Sequence, residues 1–305
     1  MAEKKKRSST GTIGIVQEKI FVLPVDRNVL FSNHKNVFKK KIEKRQRKLI
    51  IKMSYIKPFL RNNEKVLCVT TGHTPVTILE KLGIGWLFIY LKRCLLVFTD
   101  QRVLSIPTTP VYKYRNAVSE IPYGSCRSIR MKGRSLIVEY KKTGAVEKFF
   151  SLAGKEKKKV ANLLKNITLM SDGKWTEKRT NLCPRCCTPL AEKTRTCKGC
   201  ELKFKTKPIA SVLAVFLPGG GYFYVRQYFL GAIAALLEIA LFSVVVIEIN
   251  NSGNGIQTGY LWLIATPLLL ILEKIVAVIH AHIFIEDFIP NQKEITVMEA
   301  KNYAN

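Results

Sequence analysis

PGGGYFYVRQYFLGAIAALLEIALFSVVVIEI, residues 218–249, is the stretch on which the architecture turns. From Phe229 to Ile249 only Glu238 and Glu248 are charged. As a helix this run rises about 31 Å, enough to cross a hydrocarbon core. A second run, GYLWLIATPLLLILEKIVAVIHAHIFI (259–285), is also long enough, and the connector NNSGNGIQT (250–258) is uncharged and built from turn formers. A membrane hairpin is therefore expected, with spans at about 228–249 and 259–285. Pro208 to Leu217 is apolar but too short to cross, and Pro218-Gly219-Gly220-Gly221 breaks a helix, so 208–225 is expected to form an interfacial or re-entrant segment.

Charge orients the hairpin. The 305 residues carry a net charge of +28 with a mean hydropathy of +0.06, which excludes a wholly disordered basic chain. Residues 208–305 sum to −3 and residues 1–207 to +31. Lys198, Lys203, Lys205, Lys207 and Arg226 precede the first span, whereas the connector has neither Lys nor Arg, so both termini are expected in the cytosol. Tyr222, Phe223, Tyr224, Tyr228 and Phe229 at one end, and Tyr260 and Trp262 at the other, suit interfacial belts.

Three charges fall inside the spans: Glu238, Glu273 and Lys274. Counted from the connector, their depths differ by roughly 5 Å. A Glu238–Lys274 pair would relieve the cost of burying either charge, and in an oligomer the same groups would suit a proton or ion path. His280 and His282 project from different sides of their helix and are expected to be polar anchors, not a metal pair. Pro218, Gly219, Gly221, Tyr224 and Gly231 resemble the PGxGxxY turn and following aromatic-x-x-G of bacterial two-transmembrane-helix families. That resemblance implies a membrane module without assigned catalytic chemistry.

Immediately before the hairpin, LCPRCCTPLAEKTRTCKGCELKF (182–204) contains C-x2-C-x10-C-x2-C if Cys183, Cys186, Cys197 and Cys200 are the ligands. Each C-x2-C turn aims backbone N–H groups at its thiolates, and four thiolates complete a closed tetrahedral site suited to structural Zn2+. The segment resembles zinc ribbons. Cys187 could replace Cys186 by a one-residue slip or stand as a spare thiol. The clustered cysteines point to a reducing compartment, and Cys68, Cys94 and Cys126 read as core residues. The first residues, MAEKKKRSSTGTIGIVQEK (1–19), lack the apolar run of a secretory signal.

Residues 65–150 break into strand-like runs: KVLCVTT (65–71), WLFIYL (86–91), RCLLVFT (93–99), RVLSI (102–106), CRSIRM (126–131), SLIVEY (135–140) and VEKFF (146–150). An amphipathic helix follows, with Val160, Leu163, Leu164 and Ile167 on one face. CLLVFTDQRVLSI (94–106) and SEIPYGSCRSIRMKGRSLIVEY (119–140) resemble bacterial pleckstrin-homology-like and GRAM-like domains, a family that implies lipid or peptide binding and not catalysis. The continuous apolarity of WLFIYLKRCLLVF suggests that this domain leans on the membrane or on another subunit. Lys92, Arg93, Lys132 and Arg134 are its candidate anion-binding loop residues.

KNVFKKKIEKRQRKLIIK (35–52) reads as a basic amphipathic helix with Phe38, Ile42, Leu49 and Met53 on its apolar stripe. Lys39, Lys40, Lys41 and Arg45 are its candidate lipid or polyanion contacts. Residues 1–12 are expected to be disordered. No phosphate-binding loop, nucleophile elbow or zincin motif occurs, so no enzymatic activity is expected.

Together these readings give a multidomain α+β membrane protein. It comprises a basic N-terminal arm (1–54), a pleckstrin-homology-like β domain with a C-terminal helix (55–170), a zinc ribbon (180–206), a two-helix membrane module (208–289) and a tail (290–305). The expected role is a scaffold or sensor in a bacterial inner membrane, binding anionic lipid or an unidentified protein partner. The alternatives are a membrane-tethered nucleic-acid binder and a homo-oligomeric ion or proton pathway.

Overall fold

The computed structural model describes residues 18–20, 23–75, 92–109, 111–167, 176–192, 194–253 and 260–291. The expected strand 86–91, the N-terminal residues 1–12, the side chains of Tyr260 and Trp262, and residues 292–305 of the tail lie outside what is described.

One sheet dominates. Its order is β1 (Glu18–Ile20), β2 (Leu23–Val25), β3 (Val66–His73), β4 (Arg93–Thr99), β5 (Arg102–Pro107), β6 (Val118–Pro122), then β10 (Thr180–Leu182) and β11 (Pro189–Leu190). A second, three-stranded antiparallel sheet holds β7 (Cys126–Lys132), β8 (Ser135–Tyr140) and β9 (Val146–Phe149). The helices are α1 (Arg27–Leu30), α2 (Lys40–Ile51), α3 (Lys157–Asn166), α4 (Lys207–Phe216), α5 (Gly220–Tyr224), α6 (Tyr228–Gly253) and α7 (Tyr260–Ile285). Val118–Pro122, short and ended by proline, is a strand that periodicity alone did not mark.

The central strands are covered on both faces. Along β4, Leu95 and Val97 join one core with Leu23, Leu30, Ile50, Met53 and Ile56. The alternating Cys94, Leu96 and Phe98 join another core with Leu136, Val138, Tyr140 and the α3 residues Val160, Leu163 and Leu164. For residues 93–99 the apolarity is that of a strand packed on two sides; the rest of the apolar run, 86–91, lies outside the described residues.

One of those covers is the segment expected to be an arm. Residues between Leu23 and Phe59 pack into the first core together with strands β3 to β6, so that stretch shares a core with the β domain. In α2 the buried face carries Gln46 and Ile50, while Phe38, assigned to the apolar stripe, precedes the helix and is 56% exposed. The buried Gln46 amide donates to Val69 O (2.8 Å) and accepts from Val69 N (3.0 Å), supplying both backbone groups of this β3 residue with partners.

The C-terminal part is helical. Tyr228–Asn250 and Ile264–Ile285 are long and apolar enough to cross a membrane, and only 22% and 28% of their most apolar stretches are buried. Phe229, Leu236, Phe242, Ile264 and Leu268 are among the large apolar side chains left exposed along them, a surface unlike that of a core helix.

Candidate metal centre and the charged turn of the hairpin

The cysteine cluster is built on the rim of the large sheet. Strand β10 pairs antiparallel with β6, Thr180 to Glu120 and Leu182 to Val118, and β11 pairs with β10. This carries Cys183 and Cys186 to the sheet edge. A second turn brings Cys197 and Cys200 back onto them, Cys197 N donating to Leu202 O (2.9 Å) and Glu201 N to Cys197 O (2.9 Å). The four Sγ atoms all lie within 4.8 Å of one another, and the pairs Cys183–Cys200 and Cys186–Cys197 are 3.5 Å apart. A tetrahedron with bonds of about 2.3 Å has edges of about 3.8 Å, so the set fits a metal ion. All four thiols are free. At Gly199 a Cβ would stand 2.7 Å from Thr188 Oγ1 and 3.3 Å from Cys186 Sγ, so the second turn presses directly on the first. Leu190, Leu202 and Phe204 form the small apolar floor. Cys187 points away and donates to Pro58 O (3.2 Å), which leaves Cys186 in the cluster.

The cluster is tied to the hairpin. Lys205 N donates to Ile289 O and Asn291 N to Lys203 O, each at 2.9 Å, and Phe204 meets Phe288 edge to face at 5.5 Å. The β domain reaches the same place: Arg115 Nη2 donates to Gln227 Oε1 (3.2 Å), and the Lys92 ammonium lies 3.8 Å from the Asp287 carboxylate and 5.6 Å from the centre of the Phe284 ring. Lys92, one of the candidate anion-binding residues, is thus buried against the end of α7.

Within the hairpin, α4 packs along α7: Ala210 lies with Ala281 and Phe284, and Ala214 with Ala277. The chain turns at Gly219 (φ +64), whose Cβ would fall 2.2 Å from Gly231 O; a Cβ at Gly221 would fall 2.7 Å from that of Ala214. Only glycines allow this approach. Beside the turn, Lys274 pairs with Glu238 Oε2 and donates to Ala214 O (3.0 Å), while Gly219 N donates to Glu238 Oε1 (3.0 Å). The expected pair therefore forms, with two backbone groups that sequence did not reveal. The helix break leaves a carbonyl and an amide without helical partners, and the pair supplies both. His280 Nδ1 shares a 2.7 Å hydrogen bond with Tyr222 OH, and His282 Nε2 one of 2.7 Å with Ser211 Oγ, so each histidine ties α7 to a different part of the segment 208–225.

The other candidate cations are dispersed. Lys39, Lys40 and Lys41 are exposed at the start of α2, beside Val37 and Phe38 at 50% and 56% exposure. Arg45 pairs with Glu156. Arg93 lies 5.9 Å from the centre of the Tyr112 ring, Lys132 is exposed on the β7–β8 turn, and Arg134 Nε donates to Leu152 O (3.0 Å). No family model matches the chain, and neither a curated protein nor a solved structure matches it.

Proposed function

We propose that the protein is a membrane-anchored scaffold or sensor whose cytosolic head binds anionic lipid. The observation that carries this reading is the join between head and hairpin: Lys92 with Asp287, Arg115 with Gln227, and residues 203–205 with 289–291 hold the β domain and the cysteine cluster against the inner end of the spans. Two sheets closed by α3 favour the pleckstrin-homology-like reading of the head. Four thiolates in a closed set favour structural zinc over a catalytic ion. The bare α6 and α7 surfaces and the charge asymmetry favour a membrane protein with both termini cytosolic, and the resemblance to bacterial hairpin families favours a bacterial inner membrane.

The lipid site we assign is the loop and helix start at residues 37–41. There an exposed apolar pair, Val37 and Phe38, is flanked by Lys39, Lys40 and Lys41, the pattern of a segment that seats a side chain among acyl chains and its charges among headgroups. Native mass spectrometry of the full-length protein in detergent tests it, comparing phosphatidylglycerol with phosphatidylcholine. The expected result is preferential retention of phosphatidylglycerol, lost when all three lysines become glutamine. Equal retention of both lipids, with binding of single-stranded RNA that falls steeply with salt, would replace this reading with the nucleic-acid one.

A further inference from the structure

We propose that Glu273 is a proton-binding site in the interior of the membrane, held as the neutral acid in a groove between the two spans. The proposal rests on reading α6 and α7 as membrane spans.

Its basis is a charge account of the turn. Two carboxyl groups, Glu238 and Glu273, face one ammonium, Lys274. The ammonium is committed to Glu238 and to Ala214 O, and the second Glu238 oxygen is committed to Gly219 N–H. Tyr222 and His280, the other titratable groups beside this cluster, are engaged with each other at 2.7 Å. Glu273 Oε2 is buried with no hydrogen-bond partner. The Glu273 side chain lines a groove whose other walls are Leu237, Leu241, Leu269, Leu272 and Val276, with a volume of about 300 Å³. Nothing in such an apolar lining balances a second negative charge, and an ionised carboxylate there costs several kcal/mol. Binding a proton neutralises the cluster and leaves the Glu238–Lys274 pair intact. The proton also has a defined alternative: if it leaves, Glu273 competes with Glu238 for Lys274, the residue that holds the broken end of α4.

A hydrophobic carbodiimide tests this on the full chain in native membranes. The reagent takes the proton of a carboxylic acid onto one nitrogen while the carboxyl oxygen adds to its central carbon, and the adduct rearranges to an N-acylurea, an addition with no leaving group. Peptide mapping by mass spectrometry should place the adduct on Glu273 and not on Glu238, with a yield that falls as the medium is made alkaline. Glu238→Gln should abolish the Glu273 adduct by releasing Lys274 to pair with Glu273. Glu273→Gln, a neutral isostere, should leave the melting temperature unchanged, whereas Glu238→Gln should lower it. An adduct on Glu238 in place of Glu273, no adduct on either, or an equal loss of melting temperature in both variants would overturn the proposal. Resistance of the chain to alkaline carbonate extraction is scored separately: release from the membrane would refute the span reading itself, whatever the labelling.

Discussion

Arg102 is 3% exposed and lies between two carboxylates that are themselves buried, Glu64 and Glu120. It forks onto Glu64 through Nε (2.9 Å) and Nη2 (2.8 Å), and Arg61 N and Thr99 Oγ1 each add a 2.7 Å bond to the same carboxylate. Burial pushes the Glu64 carboxyl up, but the hydrogen bond and charge of Arg102, the Arg61 amide and the Thr99 hydroxyl together outweigh it, and the net is a value below the ordinary one. A lowered folded value means that this stabilisation is complete above the unfolded pKa of about 4.3 and is lost as acid passes through the lower folded value. Glu64→Gln should therefore be less stable than wild type at neutral pH, the gap closing as the pH falls, which a melting series in detergent will read. Arg102→Met removes the ion pair of buried Glu64 and leaves Glu120 with the Arg61 guanidinium (3.2 Å), and should cost about 3–5 kcal/mol by chemical denaturation. At the cysteines, Cys197→Ser should abolish metal binding in elemental analysis, whereas Cys187→Ser, whose thiol faces Pro58, should leave the metal content unchanged.

Among the elements, the turn between α4 and α5 carries the sharpest comparison. Gly144 (φ +66) and Gly219 (φ +64) share a left-handed backbone, but a Cβ at Gly144 meets nothing within 4 Å whereas one at Gly219 meets Gly231 O at 2.2 Å. Gly144→Ala should cost only the conformational penalty, about 1–2 kcal/mol. Gly219→Ala should lower the melting temperature much further, because α4 and α6 must separate. That turn was legible in the Pro-Gly-Gly-Gly run, as were the spans, since their composition over more than twenty residues suffices to mark them. The four cysteines were legible from their spacing. What lay beyond the sequence was long-range pairing: the backbone groups that complete Glu238 and Lys274, the Gln46 contact to β3, the fate of Lys92, and the β10–β6 seam all join positions with no local pattern in common. Arg102 stood in the quoted run CLLVFTDQRVLSI (94–106), but its partners, Glu64 and Glu120, were not visible there.

At the scale of the whole molecule, head and hairpin share one junction. Phe204 rests on the cysteine cluster, so a chelator that strips the proposed metal ion should loosen the Phe204–Phe288 contact and the bonds between 203–205 and 289–291. Hydrogen exchange should then rise at those two segments while the β7–β8–β9 sheet keeps its protection. The seam between β10 and β6 also sets a timetable for biosynthesis. Strand β6 ends at Pro122, and the strand that covers its edge begins about 60 residues later, at Thr180. At translation rates of about 5–20 residues per second, that edge waits roughly 3–12 seconds without its neighbour. The hairpin that covers the edge of β6 is made directly before the apolar α4, so this seam can close only as the first residues of the helical part are synthesised.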